Sequence, residues 1–402
     1  FLVTLVMKKI YHFLSISSLA LISTSCANFQ SHITTTETIP FSNGLAVQDL
    51  GPAGQYIKDK SYRITVLHNN DNHGRFWKNS DGEHGLAARA TLIKSIRNEV
   101  EAQGGNVLLL DAGDINTGVP ESDTQNAEPD IKAMNVMGYQ SMTVGNHEFD
   151  NPLPVLKQQI NLAKFPLLSA NITQEGKYLF SPYTLFNLQG VKVAVMGLTT
   201  PDTAKLVFPE NVKKIDFNSP IQAAQKLLPI LKQKADVIIA ATHLGYYENG
   251  RSGSQAAGDV ELARAVSGID LIVGGHTHTL VCMKAPNQLD TNFQPGQKCQ
   301  PDQQNNTTII QAGEWGKYLG RADFEFKNGQ FKLMSYQLIP VNLKTKTKDA
   351  SGKDIKVFAT QEIKEDPEIL ALLEPYQTKG DKLLSQAIGQ LEGNLDGSRD
   401  KV

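Results

Sequence analysis

Along this chain, short apolar, β-branched runs repeatedly close on clusters of carboxylate, amide and imidazole side chains. The clusters are Asp71-Asn72-His73, Gly113-Asp114, Gly145-Asn146-His147-Glu148-Phe149-Asp150, Thr242-His243 and Gly274-Gly275-His276-Thr277-His278. The runs Arg63–Leu67, Val107–Leu110, Val191–Val195, Val237–Ala240 and Leu271–Val273 are bounded by turn residues and suit buried strands. Amphipathic stretches lie between them: Leu86, Ala90 and Ile93 are spaced for one helical face, as are Ile93, Ile96 and Val100. Strands alternating with helices predict a layered α/β domain. In such sheets ligands bind beyond the carboxyl ends of strands, which is where the five clusters fall.

At 402 residues the chain can hold one large domain or two ordinary ones, and 40% hydrophobic content supplies a globular core. A net charge of −2 gives no reason to expect a nucleic-acid polymer as partner. No tandem repeat, Gly-x-Ser-x-Gly elbow or Walker-type Gly-Lys-Ser/Thr is visible, and Ser252-Gly253-Ser254 reads as loop punctuation.

The N-terminus reads as an export signal. Met7-Lys8-Lys9 offers a start and a positive n-region, with residues 1–6 upstream of that start. Phe13 to Ile22 is an apolar stretch too short for an ordinary transmembrane helix. Small residues lead to Cys26, in a segment that resembles the lipobox of bacterial lipoproteins, although Ser23 stands where Leu is usual. Residues 1–26 are thus expected to be a signal segment with Cys26 as the lipidation site. Ordinary cleavage near the same point, giving a soluble periplasmic protein, is the alternative. The expected address is the periplasm or the outer membrane of a Gram-negative bacterium, with membrane contact through the lipid anchor alone. Cys282 and Cys299 lie in a Pro/Gln/Asn-rich excursion without a CxxC partner, and in an oxidising compartment they should pair as a disulfide.

Residues 27–60 read as a tether, 61–345 as the α/β domain, 346–386 as an exposed loop followed by a helix from Pro367 to about Gln386, and 387–402 as the beginning of a further domain. Pro375 and Gly380 predict a kink or break in that helix. Ala387–Leu391 looks like a strand beginning, and a stop at Val402 within a charged segment suggests truncation.

The clusters have the composition of a two-metal site. Asp71 and His73 are two apart, so on an extended segment both can point to one side, and His276 and His278 repeat that spacing. Asp114 can bridge two cations, Asn146 offers a neutral amide oxygen, and His243 adds an imidazole. Mixed N/O ligation suits Zn, Mn, Fe or Co and argues against Ca or Mg alone. Two such ions hydrolyse phosphate esters through a metal-activated water. His68 reads as a packing residue or one supporting a ligand, and His84 as a residue near the mouth of a site.

The ordered set Asp-x-His, Gly-Asp, Gly-Asn-His-Glu, His and Gly-His-x-His resembles the calcineurin-like metallophosphoesterases. Gly145–Asp150, Gly274–His278 and the run Gln311-Ala312-Gly313-Glu314-Trp315-Gly316-Lys317-Tyr318 are similar more closely to the bacterial 5′-nucleotidase / UDP-sugar hydrolase family, from about Tyr62 to Val402. The resemblance implies a four-layer α/β/β/α domain over 61–345 and a monomer. It also implies a linker helix leading to a C-terminal nucleotide-binding domain, of which residues 387–402 are the start. It assigns Asp71, His73, Asp114 and His278 to one divalent metal (Zn, Mn or Co) and Asp114, Asn146, His243 and His276 to the other. The best-known periplasmic members have Gln where this chain has His278. By the same resemblance His147 is expected to pair with Asp150 as the catalytic imidazole, and Glu148 reads as structural. The resemblance further implies that Asn146, His147 and Arg399 contact the substrate, expected to be a 5′-nucleotide such as AMP or a UDP-sugar. Alternatives that share these motifs are an NAD pyrophosphatase with nucleotidase activity and a 2′,3′-cyclic nucleotide phosphodiesterase. A remoter one is a surface lipoprotein that binds a partner on an inert scaffold.

Overall fold

The computed structural model of the protein describes residues 39–44, 50–252, 256–386 and 389. Cys26, Arg399, the 1–26 leader and, Gly389 aside, the strand expected at Ala387–Leu391 lie outside the described residues.

The five expected strands are present as Tyr62–Asn69, Asn106–Asp111, Val191–Thr199, Val237–His243 and Leu271–Val273. They belong to two six-stranded sheets. The first has the order Gln330–Pro340, Tyr318–Lys327, Tyr62–Asn69, Asn106–Asp111, Ser141–Thr143, Leu167–Leu168. Its last four strands run parallel, and the other two are added antiparallel. The second has the order Asp302–Gln304, Thr307–Ile310, Leu271–Val273, Val237–His243, Val191–Thr199, Tyr183–Leu188, with a parallel centre and antiparallel edges.

Side-chain alternation explains why these strands read as unbroken apolar runs. Val193 and Val195 enter the core between the sheets, whereas Ala194, Met196 and Leu198 pack under helices. Ile64 and Val66 likewise face the other sheet, and Leu67 faces the helices. A parallel strand covered on both faces needs apolar residues at every position. Helices Leu86–Ala102, Glu128–Met137, Leu153–Leu162 and Pro367–Leu384 cover the first sheet, and Pro220–Lys234 and Asp259–Ala265 cover the second. The layers are therefore α/β/β/α, as expected.

Two local expectations are corrected. The stretch after Lys344 is an exposed hairpin, Lys344–Lys348 paired with Asp354–Phe358, rather than a loop. Helix Pro367–Leu384 runs unbroken through Pro375 and Gly380. Pro375 removes one N–H from the helix, but tertiary contacts offset the loss. Asp366 caps the first turn by accepting from Glu368 N and Ile369 N, Ile369 and Leu373 are fully buried, and Gln125 donates to Tyr376 O (3.0 Å). Gly380 is buried, and a Cβ there would sit 2.7 Å from Glu121 Cγ. The described residues of the 27–60 segment lie against the domain. Phe41 N bonds Leu179 O, Asn43 donates to Ala163 O and Phe165 O, and Tyr56 meets Phe326 edge-on. Cys282 and Cys299 form the expected disulfide. Among the described residues no helix is long and apolar enough to cross a membrane.

A buried polar cluster lies beneath the first strand's terminal loop. Asn72 donates to Asp130 (3.1 Å) and accepts from the fully buried Arg89 (2.8 Å), while Ser122 Oγ donates to the other oxygen of Asp130 (2.6 Å). Burial pushes the Asp130 carboxyl up to about 7. An acid whose folded pKa is raised is neutral in both states below its unfolded value of about 4, and folding stability falls as pH rises from there through the folded pKa. Asp130→Asn should therefore gain stability relative to wild type between about pH 4 and about pH 7, read from urea midpoints at pH 5 and 8. A pH-independent difference would contradict the shift. Leu373→Ala should cost about 2–5 kcal/mol in urea unfolding, and a neutral result would show that the C-terminal helix contributes no core.

Candidate metal centre

The ligand loops are held in an unusual backbone conformation. Asp71 (φ 52°), His73 (φ 50°), Asp114 (φ 60°), His276 (φ 81°) and His278 (φ 56°) are all left-handed. The pairs two apart therefore share a side through tight turns, not through extended strand as their spacing suggested. Such conformations are strained for residues with a Cβ and persist only where the surroundings impose them. Here the first two loops are stitched together: Asp71 N to Gly113 O (2.9 Å), His73 N to Asp114 O (3.0 Å) and Gly74 N to Ile115 O (2.7 Å). Glu148 accepts from the main-chain nitrogens of Asp114 (3.0 Å), Ile115 (3.0 Å) and Gly145 (2.7 Å), the structural role expected of it. Position 145 must be glycine, because a Cβ would lie 2.2 Å from Asp114 Oδ1. Both oxygens of Asp71 accept from His276 N (3.1 and 3.0 Å), which ties the first sheet's loop to the second's.

The structure brings all seven expected ligands together, and all are buried or nearly so except the half-exposed His278. Asp71, His73 and His278 form one group of converging ligand atoms, and Asp114, His243 and His276 form another. Asn146 Oδ1 joins the second, 3.2 Å from His243 Nε2 and 2.8 Å from His276 Nδ1. Asp114 also groups with His73 and His147, so it reaches both sides.

The hydrogen-bond partners set the tautomers. A carbonyl oxygen can only accept, so His73 Nδ1 donates to Thr117 O (3.0 Å) and His243 Nδ1 to Ala112 O (2.8 Å). His278 Nδ1 is held by Glu314 Oε2 (2.8 Å). The Nε2 atoms then carry lone pairs inward. His73 Nε2 lies 3.1 Å from His278 Nε2, and His243 Nε2 lies 2.9 Å from Asp114 Oδ2. Electron pairs so close, around buried carboxylates, repel unless positive charge lies among them. Mixed imidazole, carboxylate and amide donors with engaged Nδ1 atoms fit divalent metal ions.

The same neighbours shift the protonation of these groups. Burial opposes charge on His243, yet the Asp114 carboxylate overrides it and pushes the imidazole up to about 10. Burial likewise opposes charge on His278, but Asp71 and Glu314 push it up to about 9. Burial and the neighbouring His243 push His276 down to about 4. Burial also disfavours the charged Asp114, but His243 holds its carboxyl well below the usual range.

His147 stands at the rim with its side chain 38% exposed. Its Nδ1 meets Asp150 Oδ2 at 2.5 Å, and the same oxygen accepts from Thr117 Oγ1. Burial works against the cation, but the Asp150 bond outweighs it and raises His147 to about 9. Asn211 fixes this turn by donating to Phe149 O and Asp150 O (both 2.9 Å).

His68 is fully buried, stacks on Tyr336 and has neither ring nitrogen hydrogen-bonded, so it packs the core. Burial pushes it down to about 3. His84 lines a cleft with Trp77 and Trp315. Sequence reading assigned no role to Glu314, Asn211 or Asn70, whose side chain donates to Asp71 Oδ2 (2.6 Å). Asn70 adjoins a ligand and could have been suspected. Glu314 lies in the run Gln311–Tyr318 that carries the family resemblance, but its partner is distant in sequence, and Asn211 carries no local signal.

Residues 64–280, a span holding every expected ligand, match the family described as calcineurin-like phosphoesterase. The chain is 56% identical over 353 residues to Protein UshA of Escherichia coli (strain K12), covering 86% of this chain and 64% of that protein. It is 55% identical over 357 residues to a 5′-nucleotidase of Vibrio cholerae, covering 87% and 64% respectively. The chain thus spans 64% of the length of these curated relatives. A solved 5′-nucleotidase precursor from Thermus thermophilus superposes with a TM-score of 0.62 at 27% identity, over 81% of this chain and 61% of that one. The Haemophilus influenzae NAD nucleotidase shares the fold, with a TM-score of 0.67 at 23% identity over 83% of this chain and 63% of that one. With its layers, its strand-end ligand loops and this match, the chain belongs to the calcineurin-like phosphoesterases, and over most of its length it is similar to bacterial 5′-nucleotidases.

Proposed function

We propose that this protein is an exported, two-metal phosphohydrolase that releases phosphate from 5′-nucleotides and also cleaves UDP-sugars. The observation that carries the reading is the pair of adjoining ligand groups joined by Asp114, with the His147 imidazole at their rim. Asp71, His73, Asp114 and His278 would hold one ion, and Asp114, Asn146, His243 and His276 the other. Bound there, Zn, Mn or Co ions would supply Lewis-acid neutralisation of phosphoryl oxygens and an activated water.

The chain's own residues do the rest. Asp150 holds His147 through Nδ1 and favours its charged form, which leaves Nε2 as a donor to a phosphoryl oxygen as negative charge builds there. Asn146 commits its oxygen to the ligand group and keeps its amide NH2 for the substrate. Thr117 and Asn211 keep the His147–Asp150 pair in one orientation before substrate arrives. The leader reading and the Cys282–Cys299 disulfide support an oxidising compartment outside the inner membrane. There such an enzyme would strip charged phosphate from nucleotides so that nucleosides can be taken up. Arg399 as a substrate contact and Cys26 as a lipid anchor are parts of this proposal.

Phosphate release from AMP and UDP-glucose should disappear on chelation and return with Mn, Co or Zn. Asp114→Asn should stay low with every metal, by more than the roughly 10–100-fold typical of losing a residue that only supports a ligand. Activity that survives chelation would reject the metal reading. His147→Ala should keep its metal content while kcat falls about 10²–10³-fold. A fall that metal loss fully accounts for would remove His147 from catalysis.

A further inference from the structure

Beside the metal centre lies a cleft of about 510 Å³. It begins where the ligand segments end. Gly74, Arg75 and Trp77 follow His73, and Trp315 and Lys317 follow Glu314, which holds His278. Trp315 N is itself bonded to Asp71 O (2.7 Å). Both of the chain's two tryptophans line this space.

Arg75 is the residue at the junction. Its guanidinium lies over the Trp315 ring, 3.8 Å from the centroid, and Lys317 Nζ approaches the same ring at 4.1 Å. Arg75 Nη1 donates to the main-chain oxygen of His73 (3.0 Å), the guanidinium's one hydrogen bond among the described residues. Glu314 and Asp123 act on the guanidinium by charge alone, while the carboxylates nearby make their hydrogen bonds elsewhere: Glu314 with His278 and Lys317, Asp123 with Gly118 N, and Glu83 with Asn79 and Lys344 N. Glu121 packs against Gly380, and Lys78 is paired with Glu365. A guanidinium stacked on an aromatic ring and pinned at one nitrogen is a preorganised fork for a phosphate.

We propose that Arg75, backed by Trp315 and Lys317, recognises the second phosphate of a diphosphate ester, and that the cleft beyond it takes the group which that phosphate carries. The assignment rests on the phosphohydrolase reading of the metal centre. With one phosphoryl group at the ligand atoms, a second one joined to it reaches the unused Nη2 and Nε of Arg75. A monoester has nothing to place there. Arg75 therefore sets the preference between the two substrate classes.

The test compares kcat/KM for UDP-glucose and UMP on metal-loaded wild type, Arg75→Ala and Arg75→Lys. The substrates share base, ribose and first phosphate, so recognition of those parts cancels in the ratio. Arg75→Ala should lower the UDP-glucose to UMP ratio about 10- to 100-fold, as loss of a hydrogen bond to a charged group does. The loss should fall mainly on KM for UDP-glucose, and Arg75→Lys should restore only part of it. UDP-glucose should also change the intrinsic tryptophan emission of the wild type more than UMP does. An unchanged ratio in both variants, with wild-type hydrolysis of UMP intact, overturns the Arg75 assignment and leaves the phosphohydrolase reading standing. If Arg75→Ala fails to fold, equal tryptophan responses to the two ligands overturn it. Failure of the wild type to hydrolyse either substrate removes the parent reading and this assignment together.

Discussion

Asp71 and Asp114 are buried at the point where imidazole lone pairs and an amide oxygen also converge. Burying an uncompensated charge costs several kcal/mol, and a cluster of acceptors facing one another adds repulsion. Cations resolve both. The surrounding features serve that one constraint. Left-handed turns aim the side chains inward, carbonyl and carboxylate partners hold the Nδ1 atoms of His73, His243 and His278, and Glu148 satisfies main-chain donors that the turns expose.

The two-sheet architecture makes such convergence possible. Loops of the first sheet carry Asp71, His73, Asp114 and Asn146, while the second carries His243 at the end of a strand and His276 and His278 in a loop. Each sheet thus supplies part of the donor set, and the apolar core between them keeps the parts in register. Val66, Leu108 and Leu110 meet Val195, Ile239 and Val273 in that core. Close packing resists change of volume, so ligand spacing inherits the rigidity of the layers beneath. The bonds from His276 N to Asp71 close the gap directly.

Substrate preference has a different origin. The metal ligands lie in strand-end loops with a shared conformational logic, whereas the neighbouring cleft is assembled from unrelated pieces. Trp77 follows a ligand loop, Trp315 precedes the strand Tyr318–Lys327, and Gln377 comes from the C-terminal helix. A family can keep its chemistry while such a lining changes, because the ties between lining and ligands are few, chiefly Arg75 to His73 O and Trp315 N to Asp71 O.

The sequence alone determined five of the central strands, their buried character and the polar clusters that close them, which are the candidate ligands. Those properties are local: an unbroken apolar run, a turn residue and a polar cluster are neighbours in the chain, and their chemistry shows in their order. It also pointed to the Cys282–Cys299 pair, since few cysteines leave few choices. Tertiary structure decided what depends on partners far apart in sequence. It chose turns over extended strand for Asp71 and His73, placed Glu314 on His278, and set Arg75 on Trp315. It also carried the C-terminal helix through Pro375, because burial of Ile369 and Leu373, about 1.5–3 kcal/mol each, offsets a proline cost of about 3 kcal/mol.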